Sequence, residues 1–117
     1  TYTQIANTTG AFNSFGRVVI NDAGNVIFEA GLDAGGGSGI FEGGDPVADK
    51  LLLLGESLQP GKIISVIQLG DINSSGQFTL LTSQFGGDRQ VWMGTLPEPT
   101  ALAIFALPMM AALRRRR

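Results

Sequence analysis

Asp71-Ile72-Asn73-Ser74-Ser75-Gly76 sets oxygen-bearing side chains at alternate positions and ends on Gly, as the first half of a calcium loop does. The bidentate Glu that such a loop needs at its twelfth position is missing, and Thr82 stands there. The related segment nearer the N-terminus has Val19 in place of Asp71. The pattern therefore reads as a turn and not as a metal site. Gly35–Gly39 offers glycines without Gly-x-Gly-x-x-Gly spacing, a following Lys-Ser/Thr or a helix pattern, so it reads as a hairpin and not a phosphate cradle. Asn7-Thr8-Thr9 and Asp71–Ser75 match N-glycosylation sequons, matches that chance supplies often in Asn-rich turns. Trp92 could stack on a sugar ring, but it aligns with Phe41 of an earlier strand, which favours packing.

Catalytic chemistry has little to draw on. The 117 residues include no Cys and no His, so there is no thiolate nucleophile, no disulfide and no imidazole base or ligand. The acidic residues are scattered, and no pair can be assigned as acid and base. No catalytic, cofactor-binding or metal-binding residue is expected, and the chain is read as non-enzymatic. Four of the eight Lys/Arg residues are Arg114, Arg115, Arg116 and Arg117, which leaves four basic side chains against all ten acidic ones in the rest. A body that acidic repels phosphate backbones, so no nucleic-acid partner is expected.

The elements that carry these residues repeat. Ile20-Asn21-Asp22-Ala23-Gly24-Asn25-Val26-Ile27-Phe28 reads as strand end, turn and strand; Ile72–Leu80 reads the same way 52 residues later. A Gly-rich turn follows each, Asp33–Gly39 and Gly86-Gly87-Asp88, and then a short apolar strand, Ile40-Phe41 and Val91-Trp92. One single-residue deletion keeps the copies aligned. Tyr2–Ala6 and Leu51–Leu54 are expected to open each copy as a further strand. In the turns, Asn21 and Asn73 can bond their own backbone two residues on, while Gly24 and Gly76 can take positive φ and form the bulge that restores pairing. Val26, Phe28 and Ala30 alternate with Asn25, Ile27 and Glu29, as a strand requires. Four strands in about 45–50 residues is the period of a propeller blade. The expectation is an all-β fold of four-stranded antiparallel, β-propeller-like blade repeats over 1–95 (about 2–50 and 51–94), with a β-sandwich or open solenoid as the alternative. Two blades cannot close a ring, and Thr1 with no signal peptide after it fits a piece of a longer array.

The last residues form a separate unit, 96–117. Pro97 and Pro99 flank Glu98 and break regular structure. Ala101–Leu113 carries no charge; Ala101, Leu102, Ile104, Phe105, Leu107 and Leu113 give it the character of a short hydrophobic helix, with Pro108 inside it. As a helix it reaches roughly 20 Å against a hydrocarbon core of about 30 Å, and the terminal arginines can snorkel and stay cytoplasmic. Pro97-Glu98-Pro99, then an apolar segment, then a terminal Arg cluster resembles the PEP-CTERM sorting signal. Residues 2–94 are similar to the tandem Asn-x-x-Gly-x-x-x-Phe repeats of such proteins, with Asn21, Gly24 and Phe28 in place and Leu80 where the second Phe would stand. The resemblance implies export, transient or stable anchoring in the inner membrane, recognition by exosortase, and display at the cell surface or in an extracellular matrix, with extracellular polysaccharide as a partner. The function it implies is that of a structural or adhesive matrix protein. The alternative is the C-terminal part of a secreted carbohydrate-active enzyme or lectin whose active region lies upstream.

Overall fold

A computed structural model describes residues 1–33 and 35–97. The sorting residues Glu98 and Pro99, the apolar stretch 101–113 and its expected helix, and Arg114–Arg117 lie outside the described residues. The described part is all-β. Its strands are β1 (Phe12–Ile20), β2 (Val26–Leu32), β3 (Ser38–Phe41), β4 (Lys50–Leu53), β5 (Ser57–Gln59), β6 (Lys62–Ile72), β7 (Gln77–Gln84) and β8 (Arg89–Thr95). They form two four-stranded antiparallel meanders, β1-β2-β3-β4 (sheet 1) and β5-β6-β7-β8 (sheet 2).

The repeat is visible in the registers. Ile20 pairs with Val26 around one Asn-x-x-Gly turn, and Ile72 pairs with Phe78 around the other. The next hairpin is closed by Gly31 and Ser38 in sheet 1 and by Ser83 and Arg89 in sheet 2, and here the single-residue deletion falls. Phe28 then faces Phe41 as Leu80 faces Trp92, so the alignment of Trp92 with Phe41 holds in space. β1-β2-β3 and β6-β7-β8 are thus equivalent.

The outer strands differ from the sequence reading. Tyr2–Ala6 forms no strand. Leu51–Leu54 does not open the second copy: β4 closes sheet 1 against β3, and sheet 2 begins instead with β5. The cause lies in the turn between them. The Glu56 carboxylate accepts from the Leu53 N–H at 2.7 Å and pairs with Lys50, while the Gly55 N–H donates to the Ile64 carbonyl. These bonds end one sheet and start the next within three residues. Alternation and apolarity cannot report on which side of a strand its partner lies.

Sheet 1 is packed on both faces. Val19, Ile27, Ile40 and Leu52 point toward sheet 2 and share a core with Ile64, Leu69, Ile72, Phe78 and Leu80. Phe12, Phe28, Ala30 and Phe41 point the other way into a second core. There Phe12 meets Phe41 edge-on at 5.0 Å and Phe28 at 5.8 Å, the geometry that aromatic quadrupoles favour. The alternation of Val26, Phe28 and Ala30 is as expected, but Ile27 on the opposite face is no less buried, because a second sheet covers it. Each such aliphatic side chain removed from water contributes about 1.5–3 kcal/mol before the entropy of ordering it is set against it.

Candidate functional site

The two Asn-x-x-Gly turns share their framework of bonds, and Asn73 Oδ1 accepts one more, from the Ser75 N–H at 3.0 Å. The Gly24 N–H donates to the Asn21 carbonyl at 3.1 Å and the Gly76 N–H to the Asn73 carbonyl at 3.1 Å. Asn21 Oδ1 accepts from the Asn25 N–H at 2.9 Å, and Asn73 Oδ1 accepts from the Gln77 N–H at 2.9 Å. Gly24 and Gly76 have φ of 85° and 77°, the left-handed conformation that a Cβ disfavours. The asparagines therefore serve the turns, but the expected bond to the backbone two residues on forms at Asn73 and not at Asn21, whose Oδ1 reaches four residues on instead. Asp71 Oδ1 is likewise engaged, by the Ile72 N–H at 2.9 Å.

The structure also brings the two turns together. Asn21 Nδ2 donates to the Asn73 carbonyl at 2.8 Å, joining residues that the repeat separates by 52 positions. Sheet 2 leaves by the same end: the Leu96 N–H donates to the Gly76 carbonyl at 2.9 Å, and Pro97 follows, exposed. Of the sorting motif, Pro97 is the residue described, and it stands beside the paired turns.

A second junction, which the sequence reading missed, ties the sheets midway along β1 and β6. Glu29 Oε2 accepts from the Leu69 N–H at 2.8 Å and Oε1 from the Arg17 N–H at 3.0 Å, while Arg17 Nε donates to the Gly70 carbonyl at 2.9 Å. Glu29 and Arg17 thus bond each other's strand and the opposite sheet. The signal was Glu29 itself, a charge on the apolar alternation of β2. It borders a cleft between the sheets of about 390 Å³, lined mainly by small residues, among them Ser14, Gly31, Ser38 and Ser65. Both carboxylate oxygens already accept from backbone N–H groups, and no second carboxylate lines the cleft. It is a clamp, not an acid–base pair.

No protein-family model, curated protein or solved structure matches the chain.

The remaining charges act locally. Burial raises the Glu42 carboxyl above its ordinary range, and the nearby Asp49 charge adds to the effect. Burial would also raise Glu56, but the Lys50 hydrogen bond, the Leu53 N–H and the Lys50 charge outweigh it and hold it low. The N–H groups of Ala48 and Val47 lower Asp45, and Lys62 lowers Asp88. Among the described residues no group of three acidic side chains is arranged to hold a metal ion, and no helix is long and apolar enough to cross a membrane. Trp92 Nε1 donates to Thr82 Oγ1 at 3.1 Å, and the half-buried ring packs against the inter-sheet core.

Proposed function

We propose that the chain is a non-enzymatic structural or adhesive protein, exported and sorted to a bacterial cell surface through its C-terminal Pro97-Glu98-Pro99 signal. The apolar residues 101–113 engage the inner membrane, Arg114–Arg117 remain on the cytoplasmic side, and exosortase reads the motif. The β sheets are propeller-like blades displayed outside, in contact with extracellular polysaccharide. The observation that carries this reading is the order of the tail: a Pro-Glu-Pro triplet, an uncharged apolar stretch and a terminal Arg run, in that sequence and at the end of a β repeat. The exposed position of Pro97, one residue past the last backbone bond of the body, supports it, because a membrane enzyme needs an accessible segment.

The test replaces Pro97, Glu98 and Pro99 by Ala in a host that carries exosortase. The parent is expected at the surface in processed form, and the variant unprocessed in the inner membrane. Equal surface display of the two, by immunoblot of cell fractions, would refute the sorting role.

A further inference from the structure

Sheet 1 and sheet 2 meet through different faces. The face that sheet 1 turns to sheet 2 carries Ile27 and Ile40, whose equivalents in sheet 2 are Thr79 and Val91. The face that sheet 2 turns to sheet 1 carries Phe78 and Leu80, whose equivalents in sheet 1 are Val26 and Phe28. The contact is therefore head-to-tail: equivalent surfaces are not apposed. A heterologous contact of this kind leaves one outer face at each end of the pair, and on sheet 1 that face already holds the Phe12–Phe28–Phe41 core, with Phe15, Val18 and Ile20 exposed beside it.

Both outer faces carry exposed apolar side chains, on sheet 2 among the polar Gln68, Thr79, Ser83 and Arg89, and on sheet 1 along β1 beside the buried Phe12, Phe28, Ala30 and Phe41. On sheet 2, Val91 is 76% exposed, Met93 66% and Val66 44%, and Leu81 lies between them on the same face. On sheet 1, Ile20 is 65% exposed, Val18 59% and Phe15 40%. The N-terminal segment covers part of this second face, leaving an apolar groove of about 290 Å³ between Ile5 and Ala6 on one side and Phe15 and Val18 on the other. Among the described residues nothing covers Val18, Val91 or Met93. Apolar side chains grouped on a strand face in this way mark a contact surface.

We propose that these faces bind each other between chains: sheet 2 of one copy stacks on sheet 1 of the next, continuing the interface already present within the chain. Three features of that interface carry over. Val91 takes the place of Ile40 and Val18 that of Leu69, apolar for apolar, while Thr79 takes the place of Ile27. Leu81 takes the place of Glu29, so the new contact buries no unpaired carboxylate. The Asn73 side-chain amide, which now donates to Gln77 Oε1, has a second N–H; it would reach the Asn21 carbonyl of the next copy as Asn21 reaches Asn73 within the chain. The proposal stands apart from the sorting reading, and neither needs the other.

The chain has no cysteine, so introduced ones report alone. V18C and V91C are prepared separately in the full chain, held in detergent so that any association of the tail is common to both, and joined with a short bismaleimide. Stacking predicts that a mixture of the two gives a covalent dimer at least tenfold faster than either variant alone. It also predicts that the V18C/V91C double variant gives a ladder of oligomers, and that adding M93K to the V91C partner abolishes the mixed dimer. A mixture of V91C with S57C, on the edge strand β5, sets the background of random encounter. Three results would overturn the proposal. V91C joining itself as fast as it joins V18C would show a two-fold dimer. A mixed rate no higher than that background would show no stacking. A mixed dimer formed only after removal of residues 98–117 would assign the sheet 2 face to the chain's own tail.

Discussion

Gly24→Ala isolates the backbone contribution of the turns. At Gly24 an added Cβ would meet nothing within 4 Å, and at Gly76 its nearest neighbour would be Leu96 Cβ at 3.6 Å, an ordinary contact. Steric overlap is thus absent at both sites, and what remains is φ, 85° and 77°. Holding an L-residue with a Cβ there costs about 1–2 kcal/mol. Because the unfolded chain also has less freedom with Ala, a gain of about 0.4–1 kcal/mol would accompany the change at a compatible site, but at positive φ the strain exceeds it. The expected loss is about 1 kcal/mol in each variant, which for a domain of this size lowers Tm by roughly 4–8 °C. Gly24→Asn should lose less, since Asn tolerates the left-handed region better than Ala. Urea titrations of the full chain, monitored by Trp92 fluorescence, give the comparison, with an unchanged m-value as the sign that only stability moved. If Gly24→Ala were neutral or stabilising while Gly24→Asn were not, the turn would not be left-handed. If the two Ala variants differed by more than about 1 kcal/mol, the two turns would not be equivalents.

Asn21 and Asn73 each make three side-chain hydrogen bonds, Asn21 across to the other turn and Asn73 to the Ser75 N–H besides those each shares with the residue four positions on. Asn21→Ala and Asn73→Ala are therefore expected to destabilise alike, to within the net value of one hydrogen bond, about 0.5–1.5 kcal/mol; paired urea titrations check this. Glu29→Gln keeps the size of the clamp but turns an N–H toward one of the two backbone donors, and a loss of about 1–2 kcal/mol is expected, with faster amide exchange at Leu69. Glu42 has a folded pKa above its unfolded value, so its ionisation opposes folding above that folded pKa and the penalty disappears as pH falls below the unfolded one. Glu42→Gln should therefore be more stable than the parent at pH 7 and indistinguishable from it at pH 3. Glu56 runs the other way: its lowered pKa gives stability that is present above the unfolded value and lost as pH falls through the folded one, so Glu56→Gln should be weaker than the parent at pH 7 and equal to it in acid.

Local chemistry was legible in the sequence where a few neighbouring residues decide the outcome. The Asn21–Asn25 and Asn73–Gln77 turns need one side-chain acceptor and one Gly at a fixed spacing, and both follow from four or five residues. The matching of Phe28 and Phe41 with Leu80 and Trp92 follows from the Gly-rich turns that close the next hairpins and from a single deletion between copies. What could not be read is which sheet takes Leu51–Leu54, since an apolar strand pairs equally well on either side and the choice rests on the Lys50–Glu56 pair and the Gly55 N–H. Tyr2–Ala6 has the composition of a strand, yet Tyr2 is fully exposed and only Ala6 packs, against the Phe12–Phe28–Phe41 core. The clamp was hidden for a related reason: Glu29 announces a buried-side charge, but its partners, the Leu69 N–H and the Gly70 carbonyl reached by Arg17, are backbone groups that no side-chain pattern encodes.

The clamp also explains why the internal stack has a single register when the apolar faces alone would tolerate slippage. Aliphatic contacts such as Ile27, Ile40 and Leu52 against Ile64 and Leu69 are non-directional, and sliding one sheet over the other by a residue pair would preserve much of their burial. The two bonds of Glu29 and Arg17 to β6, and the Asn21 to Asn73 bond at the sheet ends, are directional and fail together on such a slip. A slip would leave Glu29 Oε2 next to the apolar core without its Leu69 donor, a penalty larger than the net value of the bond itself. Leu81 at the equivalent position removes that constraint from the outer face of sheet 2. Contacts made there are apolar and weakly registered, held in line by the Asn73 amide alone, so the outer face should associate reversibly where the inner one is fixed. Sedimentation of the full chain in detergent should accordingly show a concentration-dependent mass that Leu81→Glu abolishes while leaving the unfolding free energy within about 0.5 kcal/mol of the parent, as expected for a surface substitution. A Leu81→Glu chain that unfolds instead would place Leu81 in the core and refute the assignment of that face to the outside.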